Sequence, residues 1–431
     1  MTTTLHILLW IIASVVAAPL IVLFVQCALG LLPARRRHNA EPKRSEGSDS
    51  STTTTPSPSI AVLVPAHNEE LVIPATLDSL TQALPANGRI IVVADNCSDQ
   101  TASVARQHGV TVIERHDTVN RGKGFALAAG LASLESSTPD TPEAPDVVII
   151  VDADCTVTPT TLTDLAHTVQ QTSRPVQGIY LLHPPNKNDT KAVVSAFAFM
   201  VKNQARPRGM DLLNLPIPLT GSGMAFPYAL IKDANLATGN IVEDLALGLE
   251  LAEQGHGPVL CDAARITGAL PTAGDDAVTQ RTRWEHGYLS TLLTQTPKLF
   301  AKGVFKLRPS LIAAAIDLAV PPLSLLVLAA IATLATTAVI GWWISQPGPA
   351  ILVGVSLALA GIALILAWAR YARDTLPISA ALAIPGYILW KIPIYLKFVI
   401  GREKNWVRTG RDTAPNNPGI AASPDNGTSD P

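Results

Sequence analysis

Charge is scarce in this sequence. Asp, Glu, Lys and Arg make up 15% of its 431 residues, where a soluble protein carries roughly 25%. The charges nearly cancel, leaving a net charge of -2, which gives no reason to expect a nucleic-acid partner. Cysteine is scarce too. Cys27, Cys97, Cys155 and Cys261 are scattered with no CxxC spacing, which argues against a zinc site or a disulfide framework and suits a reducing compartment. What the chain has in excess is apolar residues, and these collect at its two ends.

The first apolar run, Leu5 to Leu32, contains no Asp, Glu, Lys or Arg and exceeds the roughly 20 residues that cross a bilayer. Arg35, Arg36 and Arg37 follow it. A cleaved signal peptide carries its positive charge before the apolar run, so the order predicts a retained anchor with its N-terminus outside. A second run, Leu311 to Ile344, holds Pro321 and Pro322 and reads as a kinked or tilted span. A third, Pro349 to Trp368, is closed by Arg370 and Arg373. The last segment is broken by Pro385 and Pro393 and interleaved with Lys391 and Lys397, and Arg402, Lys404, Arg408 and Arg411 follow. With Trp390, Tyr395 and Trp406 among those bases, it suits a helix lying at the headgroup level.

The expected organisation is an anchor at 1–34, a disordered Ser/Thr/Pro linker at 35–58 and a cytosolic domain at 59–306. A membrane region of about two spans plus an interfacial helix follows at 307–411, then a disordered tail at 412–431. In the cytosolic domain, "IAVLVPA", "RIIVVAD", "VTVIE", "DVVIIVD" and "VQGIYLL" read as buried strands, with helical spacing between them. Such alternation predicts an α/β fold, a mainly parallel sheet covered by helices on both faces. Ligands of such sheets sit beyond the carboxyl ends of the strands, and these ends carry "PAHNEE", "ADNCSD" and "DADC".

Asp152 and Asp154 are two apart at the end of a buried run, and in an extended segment both side chains point one way. Magnesium or manganese bridging them to a diphosphate is one reading; capping of the next turn is the other. Asp95 ends a neighbouring strand, as a ligand contact or as part of an Asx turn. "RGKG" at Arg121 to Gly124 opens a helix, where Lys123 and bare backbone suit an anion. Glu243 and Asp244 begin an amphipathic helix, whose dipole favours acids there and keeps a proton acceptor ionised. Gln280, Arg283 and Trp284 share one helix face, as a phosphate clamp with a sugar-stacking ring or as a cation–π packing pair.

In order, "VPAHNEE", "ADNCSDQTA", "RGKGFALAAG", "DADC", "VED" and "QRTRW", flanked by membrane segments, resemble glycosyltransferase family 2. The likeness is to its membrane-embedded branch, with the synthases of cellulose, hyaluronan and poly-N-acetylglucosamine, and covers about 59–292. It implies a GT-A fold and metal-dependent, inverting transfer from a nucleotide sugar, a UDP-sugar in expectation, to a glycan or lipid-linked acceptor in exopolysaccharide or envelope glycan synthesis. By position Asp95 would contact the base, Pro65, Ala66 and Glu69 would line the nucleoside pocket, and Lys123 would lie nearby. Asp152 would face the ribose or diphosphate and, with Asp154, the Mg2+ or Mn2+ ion. Asp244 would be the base with Glu243 beside it. Gly221, Ser222, Gln280, Arg283 and Trp284 would form the acceptor and diphosphate end. The familiar Thr-Glu-Asp reads Val242-Glu243-Asp244 here, so Val242 inherits no role.

The resemblance places the protein in a bacterial inner membrane with a cytosolic catalytic domain. A processive synthase, with a channel completed by a homo-oligomer or export partners, is the alternative to single transfer. A sugar nucleotidyltransferase would need a glycine-rich loop after the first strand, and "PAHNEE" has none. An inactive domain serving as a membrane scaffold would not need Asp95, Asp152, Asp154 and Asp244, all of which are present. Gly178, Tyr180 and Gly221 are expected in the pocket walls that select the sugar.

Overall fold

The computed structural model describes residues 2–33, 57–135, 143–186, 188–237, 242–270, 274–373 and 376–401, with side chains in the last helix of the domain described from 278. Most of the expected linker, the basic residues Arg35–Arg37, Arg402, Lys404, Arg408 and Arg411, Trp406 and the 412–431 tail lie outside the described residues.

After the long helix α1 (Thr2–Gly30), the chain alternates β1 (Ile60–Ala66), α2 (Ile73–Ala83), β2 (Gly88–Asp95), α3 (Thr101–Gln107), β3 (Thr111–Arg115), α4 (Lys123–Glu135) and β4 (Val147–Ile150). In β1 the period of two is plain. Ile60, Val62 and Val64 pack with Ile73, Leu77 and Leu80 of α2, while Ala61 and Leu63 pack with Leu127 and Leu131 of α4 on the other face. A strand apolar on both sides is what a covered parallel sheet requires, and β3, β2, β1 and β4 pair in parallel in that order.

The other half of the sheet departs from the mainly parallel expectation. It comprises β5 (Cys155–Val157), β6 (Val176–His183), β7 (Met224–Pro227) and β8 (Val259–Ala269), with α5 (Thr161–Thr172) leading into β6. The eight strands run in the order β3-β2-β1-β4-β7-β6-β8-β5. β7 is antiparallel to both β4 and β6, β8 is parallel to β6, and β5 is antiparallel to β8. The sheet is therefore mixed. Its reversed members are three or four residues long, and β8 is interrupted by Asp262 and Arg265, so none offers a continuous apolar run. The reversal matters for function: the start of β7 lies against the end of β4, where Gly223 N–H donates to Ile150 O at 2.8 Å.

Between β6 and β7 lie α6 (Thr190–Met200), a π-helical turn (Val201–Ala205) and α7 (Arg206–Leu212). After β7 come the one-turn α8 (Tyr228–Ile231), α9 (Glu243–Gln254), and, beyond β8, the long α10 (Gly274–Phe305). Four further helices close the chain: α11 (Pro309–Leu318), α12 (Leu323–Trp343), α13 (Gly348–Tyr371) and, after a 3-10 turn (Ile378–Ala383), α14 (Ile384–Ile400). Four stretches among the described residues are long and apolar enough to cross a membrane: 3–30, 323–343, 348–371 and 378–400.

Two details differ from expectation. The run from Leu311 to Ile344 is not one kinked span: it divides at Pro321–Pro322 into α11 and α12, because proline has no N–H to carry a helix through. Asp317 in α11 is bonded by Arg206 of α7 at 2.7 Å and by Gln26 of α1 at 2.9 Å, which ties three segments together. On α14, Lys391 and Tyr395 turn away from solvent and lipid. Both are buried, and Lys391 is ion-paired with Glu285 of α10.

Candidate active site

Asp152 and Asp154 follow β4 directly. The segment is not extended, as the two-residue spacing suggested: it turns, with Cys155 N–H donating to Asp152 O at 3.0 Å. The turn nevertheless gathers the side chains, for carboxylate oxygens of Asp152 and Asp154 and the Cys155 Sγ lie within 4.8 Å of one another. Two carboxylates are the hard oxygen donors that Mg2+ or Mn2+ takes, so these residues fit such an ion. Burial, then the charges of Asp154 and Asp152, push the Cys155 thiol far up. It stays protonated and lies 3.5 Å from Asp154 Oδ1.

Ser222 plays a different part from the one expected. It is fully buried, and its Oγ accepts a hydrogen bond from Asp152 N–H at 3.1 Å. A hydroxyl spent on the backbone in this way fixes the Asp152 turn and presents nothing to a ligand.

Gly221 is where the charged groups meet. Its φ of +94° is left-handed, and a Cβ there would stand 3.2 Å from Asp244 Oδ2, 3.5 Å from Lys123 Nζ and 3.9 Å from Asp152 Oδ2. Three side chains from α4, the β4 turn and α9 thus converge on the space a methyl group would fill. Only glycine allows both the backbone angle and that approach. Lys123 is ion-paired with Asp152 and donates to Gly221 O at 2.7 Å. Burial alone would lower its pKa, but Asp152, Glu243 and Asp244 outweigh it and hold the ammonium charged. Glu243 goes the other way. Burial, then the neighbouring Asp244 carboxylate, raise it to about 7 against the pull of Lys123.

Pro65, Ala66 and Glu69, at the end of β1 and in the loop after it, line the cavity with Asp95. Asp95 is buried and already engaged: Arg115 Nη1 donates to its Oδ1 at 2.7 Å and Asn96 Nδ2 at 3.0 Å. Arg115 carries no motif and sits in β3, where the pattern announces only a strand.

Opposite stands α10. Gln280 is buried, Arg283 and Trp284 are half-buried, and all three line the cavity. The Gln280 Oε1 has no hydrogen-bond partner among the described residues. Trp284 lies 6.0 Å from Phe199, which meets Tyr180 edge-on at 5.3 Å. The indole therefore belongs to an aromatic row as well as to the cavity wall.

Every expected site residue except Ser222 and Gly178 lines one cavity of about 540 Å3; Gly178 faces the packed core instead, where a Cβ would stand 2.5 Å from Ile266 Cδ1. Asp154 and Asp244 share that cavity. Sequence reasoning missed its floor, built by Lys202, Asn203 and Arg206 from the π-helical turn and α7, and by Arg281, Glu285 and Tyr288. Arg281 lies inside "QRTRW" and Glu285 directly after it, yet the spacing singled out only Gln280, Arg283 and Trp284; no motif marks the others.

Comparison with known proteins agrees with this geometry. Residues 56–287 match the model described as glycosyltransferase like family 2. An uncharacterized glycosyltransferase of Mycobacterium tuberculosis is 33% identical over 227 residues, which is 49% of this chain and 91% of that protein. The Bacillus subtilis protein YdaM is 35% identical over 107 residues; the match spans only 23% of each chain. Dolichyl-phosphate beta-glucosyltransferase of Drosophila melanogaster is 35% identical over 92 residues, 18% of this chain and 28% of that one. Among solved structures, the mannosyltransferase PcManGT of Pyrobaculum calidifontis, in complex with GDP-Man and Mn2+, has a similar fold. Its TM-score is 0.54 at 19% identity, over 94% of this chain and all of that one. A mixed sheet with an acidic turn at its edge, a matched domain over half the chain and a relative covered almost end to end lead to one assignment: the chain is a glycosyltransferase and belongs to glycosyltransferase-like family 2.

Proposed function

We propose that this enzyme moves a sugar from a nucleoside diphosphate donor to an acceptor hydroxyl at a membrane surface, with inversion at the anomeric carbon. The observation that carries the reading is the meeting of Asp244, Lys123 and Asp152 around Gly221, in one cavity with Asp154. Pro65, Ala66, Glu69 and the Arg115-braced Asp95 receive the nucleoside. Asp154, with Asp152 beside it, would hold Mg2+ or Mn2+, which when bound would supply the positive charge that neutralises the leaving diphosphate. Arg283 meets the diphosphate from the opposite wall. Asp244 takes the proton of the acceptor hydroxyl as its oxygen bonds to the anomeric carbon. Lys123 keeps the neighbouring anions from repelling one another, and Glu243, raised to about 7 by burial and the Asp244 carboxylate, gives up its proton far less readily than an ordinary carboxylic acid. One base and no protein acid suffice, because a nucleoside diphosphate is already a good leaving group. The PcManGT complex with GDP-Man and Mn2+ supports a nucleotide sugar and a divalent ion.

The acceptor reading is a lipid-linked one, met by a catalytic domain on the cytosolic side. Trp342 and Trp343 are almost wholly exposed at one end of α12, and Trp10 packs against Gly348 at that same end. Arg370 marks the opposite end of α13. Tryptophan at one interface and arginine at the cytosolic one is the arrangement expected of a spanning bundle. The name of the Drosophila relative, a dolichyl-phosphate enzyme, supports a lipid acceptor as well.

The test is a panel of nucleotide sugars given to membranes holding the protein, with nucleoside diphosphate release as readout and products sized afterwards. One sugar should be turned over, release should stop with EDTA and return with Mn2+ or Mg2+, and one added sugar rather than a ladder should appear. Asp244→Asn should lower turnover by about 1,000-fold or more, at the upper end of what a lost general base costs, while donor binding persists. Near-normal release from that variant would remove Asp244 from the role of base.

A further inference from the structure

The cavity continues past the transfer groups. Its far arm is walled by Leu23 of α1, Val320, and Leu323 and Leu326 of α12, and α1 and α12 are among the helices apolar enough to span a membrane. A cation, Lys202, lines the same cavity. Lys202 belongs to the π-helical turn, whose Val201 and Ala205 sit in the same apolar cluster as Leu23 and Leu326. The Lys202 side chain is exposed, but the opening it faces is the cavity. Protein crowds it closely enough that burial pulls its pKa down, with the Asp244 carboxylate opposing and Arg206 adding to the effect.

Among the described residues no ion pair holds it. Its ammonium stands 5.6 Å from the centroid of the Tyr288 ring, and among the described residues no carboxylate lies within ion-pair distance. Asp317 and Glu285 line the cavity too, but they are paired with Arg206 and Lys391. The next residue, Asn203, is only 3% exposed and lines the same cavity. Neither end of its amide has a hydrogen-bond partner among the described residues. A buried amide with both ends unbonded is costly, as is a desolvated unpaired ammonium. A π-helical turn is itself a feature frequently found at functional sites. A ligand that is anionic and accepts hydrogen bonds would relieve both costs. One that also carries a hydrocarbon chain would fill the apolar wall.

We infer that Lys202 and Asn203 form the acceptor subsite and that the acceptor is a lipid phosphate with a hydroxyl-bearing headgroup. Its phosphate rests on the Lys202 ammonium and the Asn203 amide, its chain runs out past Leu23 and Leu326, and its hydroxyl reaches Asp244. The inference rests on the transfer reading above and names the acceptor for it. The step balances. The bond from the anomeric carbon to the diphosphate oxygen breaks, and its electron pair leaves with the nucleoside diphosphate. The acceptor oxygen bonds to that carbon, and its proton passes to Asp244.

The experiment is binding without donor, on the full-length protein in phosphatidylcholine nanodiscs, titrated with octyl phosphate, octyl glucoside and inorganic phosphate. The wild type should bind octyl phosphate about tenfold or more tightly than either of the others, and Lys202→Gln should lose about that factor, the worth of one charged hydrogen bond. Lys202→Arg should keep most of the binding, and Asn203→Leu should weaken it while leaving the ammonium in place. Unchanged octyl phosphate binding in Lys202→Gln overturns the proposal. Inorganic phosphate binding as tightly as octyl phosphate makes the subsite one for a free anion and overturns the lipid. Nucleoside diphosphate binding, measured on the same samples, should be unaffected by Lys202→Gln. If it falls while Lys202→Arg keeps it, Lys202 serves the donor and the proposal is wrong. If Lys202→Gln does not fold, Asn203→Leu decides by the same titration. Because no turnover is read, a failure of the transfer reading would show separately, as binding with no sugar moved.

Discussion

Glu243, the first acid of α9, titrates well away from its ordinary range, and the cause is local. Glu243 is raised to about 7 by burial and by the Asp244 charge. Between the ordinary 4.5 and 7 the folded protein keeps a proton that the unfolded chain releases. Stability therefore drains as pH rises through that window and stays lower above it. Glu243→Gln cannot ionise. Its thermal midpoint should exceed that of the wild type by about a few degrees at pH 8, and the gap should close towards pH 5; a gap independent of pH would mean that Glu243 is not the titrating group. At this scale the sequence was legible wherever a side chain ends a strand or opens a helix, as Asp152, Lys123 and Asp244 do. It misled at Ser222, whose type suited a ligand but whose hydroxyl is consumed by the Asp152 backbone. It was silent at Arg115 and Lys202, because neither position falls in a pattern that spacing can reveal.

Among elements, α1 meets the π-helical turn and α7 backbone to backbone. A Cβ at Gly209 would fall 2.0 Å from Gln26 O, and one at Gly30 would fall 2.0 Å from Ala205 O. The two backbones touch, and Arg206 closes the joint by donating to Gln26 Oε1 at 2.7 Å. Gly209→Leu should force them apart and destabilise the protein by about 1–3 kcal/mol, as overpacking does, with a lower thermal midpoint and reduced nucleotide release. An unshifted midpoint would show that the joint is loose. Strands with unbroken apolar runs were readable for the same reason that they are central: burial on both faces leaves no room for polar residues. The short reversed strands were not, since three or four residues make no period. On α14, Trp390 and Lys391 looked like headgroup anchors. In the fold Trp390 lies between the cations of Arg281 and Lys191, each 5.3 Å from its ring centroid, and Lys391 has its acid on α10. A basic, aromatic helix reads alike whether lipid or protein supplies its counter-charges.

For the whole molecule, the proposed orientation, with the catalytic domain on the cytosolic side, makes a prediction about the ends of the helices. With the catalytic domain inside, the short link after α12, around Gln346, must emerge on the far side. In intact cells, Gln346→Cys should react with a membrane-impermeant maleimide, while Ser98→Cys, beside the nucleoside pocket, should react only after permeabilisation; the reverse pattern would invert the orientation. The reversed strand β7 has a consequence at this scale too. A purely parallel sheet would send the approach to its next strand around the opposite rim. Here the stretch before β7 arrives at the rim where β1, β2 and β4 depart, so incoming and outgoing loops face each other across one perimeter. The two sides of that perimeter are separate pieces of chain, one encoded before residue 155 and the other between β6 and β7, so on the proposed division of roles a change of acceptor could be written into the second piece with the first left as it was.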